Sequence, residues 1–263
     1  MKNEKSGNLT VAAFWNEQWK TRSLAARSIK FFRGGDFGPR GLFLRIMRRF
    51  APGVFKGASV IELGGACSRF LIDLAKFESA HVCAVDYSPI GIEQTFKMFQ
   101  DHGVVGEVLE ADFLDWPDQN IRYDVVTHWG LLEHFEDPSL ILFLSSSLLK
   151  PGGFLVFTMP NLDAAGAWFW KRFSPQNYAA HIFHSDEVIL EECERAGLQL
   201  VRLFNSGPPL LRMGPAEKLR VLAIPISIVH AGFLLLGRLF PSIYVSGNAA
   251  ISDTRGFVFM KAA

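Results

Sequence analysis

The stretch Val60-Ile61-Glu62-Leu63-Gly64-Gly65-Ala66-Cys67-Ser68 decides the fold. A short apolar, β-branched run ends in an acid and two glycines, and a helical pattern starts at Arg69-Phe70-Leu71. That order predicts a buried strand, a tight turn and a helix start. Glycine lacks a Cβ, so the turn can take left-handed dihedrals and a ligand can approach its backbone. The unpaired N–H groups at the following helix N-terminus favour electron-rich ligand atoms. Such a turn either packs a helix on a sheet or cradles a ligand.

Working outward, His81-Val82-Cys83-Ala84-Val85-Asp86 reads as a second buried strand ending in a carboxylate. Asp86 lies about where nucleotide-binding βαβ units place the acid that accepts from ribose hydroxyls. Ser88-Pro89 follows and suits a helix start, so Asp86 reads as a helix cap as well as a ribose acceptor, and both roles can hold at once. Further units begin at Val104, at Tyr123 and at Leu149, running to Asp112-Phe113, His128-Trp129 and Asn161. Alternating strands and helices predict a parallel sheet with right-handed crossovers. Glu62, Asp86, Asp112 and His128 then all fall at strand C-termini, the edge where such sheets bind ligands.

In this order the units resemble the class I S-adenosylmethionine-dependent methyltransferases, the small-molecule branch with ubiquinone-type O-methyltransferases. The resemblance covers Ser59 to Asn205 and a last strand, Gly256 to Lys261. It departs at the glycine motif, where the family's second and third glycines are Ala66 and Ser68. The resemblance implies a seven-stranded, mostly parallel α/β sheet with helices on both faces and the last strand antiparallel. It implies S-adenosylmethionine as cofactor. Glu62, Gly64 and Gly65 would hold its methionine part, Asp86 with Tyr87 the ribose, and Asp112 with Phe113 the adenine. His128 and Trp129 would line the pocket.

The 263 residues divide into a helical N-terminal cap (1–55), a core (56–208), an apolar insertion (209–252) and a last strand (253–263). The net charge of +1 recruits no nucleic acid. Charge is nonetheless unevenly spread. Through Phe50 there are 11 basic and 3 acidic residues, and from Leu200 onward 7 and 2. The core between them is therefore acidic, which suits a cationic sulfonium. Cys67, Cys83 and Cys193 have no metal or disulfide spacing, no metal cluster is visible, and the polar N-terminus has no apolar signal run. A cytoplasmic location follows as the expectation, peripheral on the inner membrane face if the protein meets lipid.

Two segments raise that question. Arg40 to Phe50 reads as an amphipathic helix, with Leu42, Phe43, Ile46, Met47 and Phe50 opposite Arg45, Arg48 and Arg49. It is either a cap with a solvated basic face or a helix on an anionic membrane. Val221 to Gly237 contains no charged residue. This insertion meets a membrane, the substrate or a second subunit. The acceptor is accordingly expected to be small and lipophilic or membrane-borne, with O-methylation favoured. A hydroxyl acceptor needs a base, and His134, His181 and His184 are the candidates. A catalytically silent, membrane-associated interaction protein and a nicotinamide oxidoreductase are the competing readings. Gly64 opens no G-x-G-x-x-G, which counts against the latter.

Overall fold

Along Val60-Ile61-Glu62-Leu63 successive side chains are buried on opposite faces, as a strand covered by helices on both sides requires. The computed structural model describes residues 10, 13–17, 19, 39–115, 120–173, 175–207, 232, 236, 240 and 248–263. The strands are β1 (Ser59–Leu63), β2 (His81–Asp86), β3 (Glu107–Glu110), β4 (Tyr123–Trp129), β5 (Leu149–Pro160), β6 (Leu198–Ser206) and β7 (Thr254–Lys261). They form one sheet in the order β3-β2-β1-β4-β5-β7-β6. The last strand alone runs antiparallel to its neighbours, β5 and β6. The order reverses between β1 and β4, which opens a crevice at the C-terminal ends of those strands.

Helices α1 (Pro39–Phe50), α2 (Arg69–Phe77) and α3 (Pro89–Asp101) cover one face. Met47, Ile72, Leu74 and Phe99 meet Val60, Val82, Val125 and Val258 there. Helices α4 (Ser139–Ser147) and α7 (Asp186–Arg195) cover the other, where Ile141 and Ile189 meet Ile61, Val126 and Phe157. Each such side chain, fully buried, contributes about 1.5–3 kcal/mol. Two shorter helices, α5 (Ala167–Phe173) and α6 (Pro175–Ala179), lie in the connection after β5. Helix starts follow local chemistry. Ser68, Ser88 and Ser185 each take extended backbone and accept from the N–H three residues on. Gly197, at φ +76°, ends α7 as expected.

Two expectations need adjustment. The third strand starts at Glu107, because Val104 and Val105 belong to the turn before it. The membrane-helix reading of Arg40 to Phe50 is corrected more substantially. Leu44, Ile46 and Met47 are buried in the core, and Phe50 stacks on Phe204 at 4.3 Å. That part of the apolar face is spent inside the protein rather than left for lipid, while the side chains of Leu42 and Phe43 lie outside the described ones. Arg45, Arg48 and Arg49 remain exposed, with Arg48 paired to Glu78 at 2.6 Å. The apolar Val221 to Gly237 run lies outside the described residues except Gly232 and Leu236. Among the described residues no helix is long and apolar enough to cross a membrane.

Candidate active site

The glycine turn is shaped by its neighbours. Gly64 has φ +68°, a conformation that strains other residues. Gly65 donates to the Val85 carbonyl at 2.9 Å, which draws the turn against β2. A Cβ on Gly65 would sit 2.9 Å from the Glu62 carbonyl oxygen and 3.2 Å from Ala84 Cα. Both are backbone atoms and cannot step aside. Gly65→Ala is therefore expected to cost about 1–3 kcal/mol of stability, as overpacking does, measurable by urea unfolding.

Ala66 and Ser68, the departures from the family motif, have roles here. The Ala66 N–H donates to Asp86 Oδ2 at 3.2 Å. The Ser68 hydroxyl donates to Glu62 Oε2 at 2.6 Å and accepts from Leu71 N–H at 3.3 Å. One serine thus caps α2 and fixes the acid at the end of β1. Asp86 also accepts from Ser88 N–H at 2.8 Å on its other oxygen. The Tyr87 backbone N–H also favours its charged form, and a carboxylate has about four acceptor positions, so capping and ligand binding can coexist in this turn. Burial raises Asp86 to about 6. Burial likewise raises Glu62 to about 8, against the pull of the Ser68 hydroxyl and the Trp129 indole. A cation brought beside these acids favours their charged forms.

The remaining cofactor-side candidates separate. Asp112 follows directly, since Ala111 N–H donates to the Asp86 carbonyl, and its carboxylate accepts from Leu114 N–H at 3.0 Å. Phe113 is buried, and Tyr87 packs against the same core cluster. Trp129 stands edge-on to Phe70 at 4.7 Å, on the Glu62 side. His128, by contrast, is fully enclosed. Its ring stacks on Phe157 at 4.7 Å, and neither nitrogen has a hydrogen-bond partner among the described residues. Burial pushes it down to about 3, so it is a neutral core ring with no exposed surface.

The three candidate bases are also distinguished. His134 is 3% exposed, and its Nδ1 meets the Ala180 carbonyl at 2.8 Å. A carbonyl only accepts, so Nδ1 carries the proton and Nε2 the lone pair. Burial holds His134 down to about 3. His184 turns its Nε2 onto the Phe135 carbonyl at 3.0 Å, which makes it a strap between segments. His181 is half-buried, with its ring 4.7 Å from that of His134. Glu133, His134 and His181 bring their ligating atoms within 4.8 Å of one another. This corrects the expectation that no metal-type cluster is present, because His181 arrives from a distant loop. Glu133 is 2% exposed, is raised to about 8 by burial, and its Oε2 has no partner among the described residues.

Four residues escaped the sequence reading. Trp15 packs edge-on to His134 at 5.3 Å, while Trp19 presses against Gly91 and Asn16 accepts from the Ser88 hydroxyl at 2.6 Å. This helical stretch spans from the Asp86 turn to the histidines. The i, i+4 spacing of Trp15 and Trp19 was its available signal. Arg255 is the fourth, a buried cation near the start of β7.

A glycine turn braced by strand-end carboxylates, at the switch point of this seven-stranded sheet, defines a Rossmann-like S-adenosylmethionine-dependent methyltransferase. The chain belongs to the methyltransferase domain family, whose model matches residues 37–203. It is 29% identical over 175 residues to a ubiquinone biosynthesis O-methyltransferase of Proteus mirabilis, covering 64% of this chain and 68% of that one. Its fold is similar to the [4+2]-cyclase SpnF, with a TM-score of 0.66 at 14% identity over 98% and 97% of the two chains. It is also similar to phosphoethanolamine N-methyltransferase 2 of Haemonchus contortus in complex with S-adenosylhomocysteine, with a TM-score of 0.63 at 16% identity over 97% and 61%. S-adenosylmethionine is the cofactor, and the turn fits it. The close approach at Gly65 and the buried acids Glu62 and Asp86 suit a cationic nucleoside.

Proposed function

We propose that this enzyme methylates a hydroxyl group on a small, lipophilic or membrane-borne acceptor. The observation that carries the reading is the Glu133–His134–His181 cluster, set at the same sheet edge as Glu62 and Asp86. The bound cofactor supplies an electrophilic methyl on a sulfonium centre. Glu62, Gly64 and Gly65 hold its methionine half, Asp86 with Tyr87 its ribose, and Asp112 with Phe113 its adenine; Trp129 walls the site. His181 takes the proton of the acceptor hydroxyl as the carbon–oxygen bond forms and the carbon–sulfur bond breaks. Of the three histidines it is the one not buried. Glu133, when ionised, stabilises the imidazolium that results. His134 backs the ring with its lone pair, and His184 holds the loop. Most of the rate comes from positioning and from exclusion of water. The same three groups have the donor types of a divalent-cation site, so a chelator that abolishes transfer would reassign them.

Catalytic silence loses its motive, since Ala66 and Ser68 are compatible with a working turn. Membrane contact retains two supports. The exposed arginines Arg45 and Arg49 offer about 1 kcal/mol each at an anionic surface. The apolar insertion is also rooted at the active edge. Ser206 and Thr254, which flank it, pair in the sheet, and Asn161 holds its return through the Ala249 and Ser252 carbonyls at 2.7 and 3.0 Å. A second subunit on this segment is the competing use. Co-sedimentation with anionic vesicles tests the reading. Binding should appear at low salt, fall as salt rises, and fall further when Arg45 and Arg49 become Glu. Protein that stays in the supernatant at low salt makes the insertion core or interface instead.

A further inference from the structure

Arg255 is the second residue of β7, just after the return of the insertion, and is 6% exposed. A buried guanidinium needs anionic or carbonyl partners. It finds the Asp186 carboxylate at 2.7 Å from one terminal nitrogen and the His184 carbonyl at 2.7 Å from the other. Its plane lies over the Phe183 ring at 4.9 Å. Its Nε–H has no hydrogen-bond partner among the described residues. The residues it grips form the loop that carries His181. That loop is sewn to the turn after β4 by Ile182 N–H on the Glu133 carbonyl at 2.7 Å, His134 on Ala180 and His184 on Phe135. Arg255 is the one contact among these that brings charge. It lies within Coulomb reach of Glu133, whose carboxyl it pulls down against burial. The other titratable groups around the pair are His134 and His181 beside Glu133, and His184, Asp186, Glu187 and Asp137 around the loop.

We propose that Arg255 is the positioning residue of the acceptor side, holding the 181–185 loop and the first residue of α7 against the Glu133–Phe135 turn. It rests on the acceptor-site reading above, but its first readout does not. In Arg255→Met the histidine Cε1–H resonances of His181 and His184 should move, and S-adenosylhomocysteine should still bind within about threefold of wild type. With 4-nonylcatechol as the hydroxyl probe, kcat should fall at least tenfold with little change in cofactor KM. Arg255→Lys keeps the charge and loses the fork that reaches both Asp186 and the His184 carbonyl, so it should recover only part of kcat. Should Arg255→Met fail to fold, Asp186→Asn reads the same grip, and its His184 resonance should move. Unmoved histidine resonances in a folded Arg255→Met, or full kcat in that variant, overturn the proposal. A probe left unmethylated by wild type, with the resonances still shifted, faults the acceptor assignment and leaves the loop role standing.

Discussion

Asp86→Ala is expected to weaken S-adenosylmethionine binding tenfold to a hundredfold or more in a protein that still folds. Charge-assisted hydrogen bonds from ribose hydroxyls to this carboxylate contribute about 1.5–3 kcal/mol each, and about 1.4 kcal/mol is a factor of ten. The substitution also frees the Ala66 and Ser88 N–H groups that now converge on the two carboxylate oxygens. The glycine turn therefore loses its brace together with its ligand. Asp86→Asn keeps the shape but can accept on one oxygen only, so its loss should be intermediate. Calorimetry on mutants whose unfolding remains cooperative reads the effect, and unchanged affinity in Asp86→Ala would remove Asp86 from the cofactor site.

His181→Ala should lower kcat by about 10²–10⁴, the usual worth of a positioned proton acceptor, with cofactor affinity within twofold. Glu133→Gln should lower kcat less and flatten its pH dependence. Burial raises Glu133 to about 8, so in wild type the ionised form, and with it the rate, grows as pH climbs through that value. The stability consequence has the opposite sign. A carboxyl whose pKa is higher in the folded state than in the unfolded chain favours folding at low pH, and that advantage is lost as pH rises from about 4.5 to 8. Glu133→Gln should remove its share of that slope in a melting series across pH. A kcat–pH profile identical to wild type would take Glu133 out of the proton path.

The glycine turn and the strand-end acids around it were legible in the sequence because their signals are local. Glu62, Gly64, Gly65 and Asp86 each sit at the end of an apolar run, and strand ends on a parallel sheet share one edge. His128 misled because it occupies the same kind of position. At a strand end, the parity of one residue decides between cleft and core, and its ring fell on the Phe157 face. The acceptor half was less legible because it is assembled over distance. His181 meets Glu133 only when residues 180–184 fold back on the turn after β4, and no spacing in the sequence encodes that. Arg40 to Phe50 shows the same limit from another side. Its amphipathic pattern correctly gave a helix with an apolar face, but periodicity cannot say whether that face meets lipid or Phe204.

The most direct test of methyl transfer is to supply S-adenosylmethionine carrying a labelled methyl together with hydroxylated aromatics bearing alkyl chains, and to follow both products by mass spectrometry. The account predicts one labelled methyl on the acceptor hydroxyl for each S-adenosylhomocysteine formed, and neither product with Asp86→Ala. Tight S-adenosylmethionine binding to wild type with neither product formed on any acceptor would contradict it.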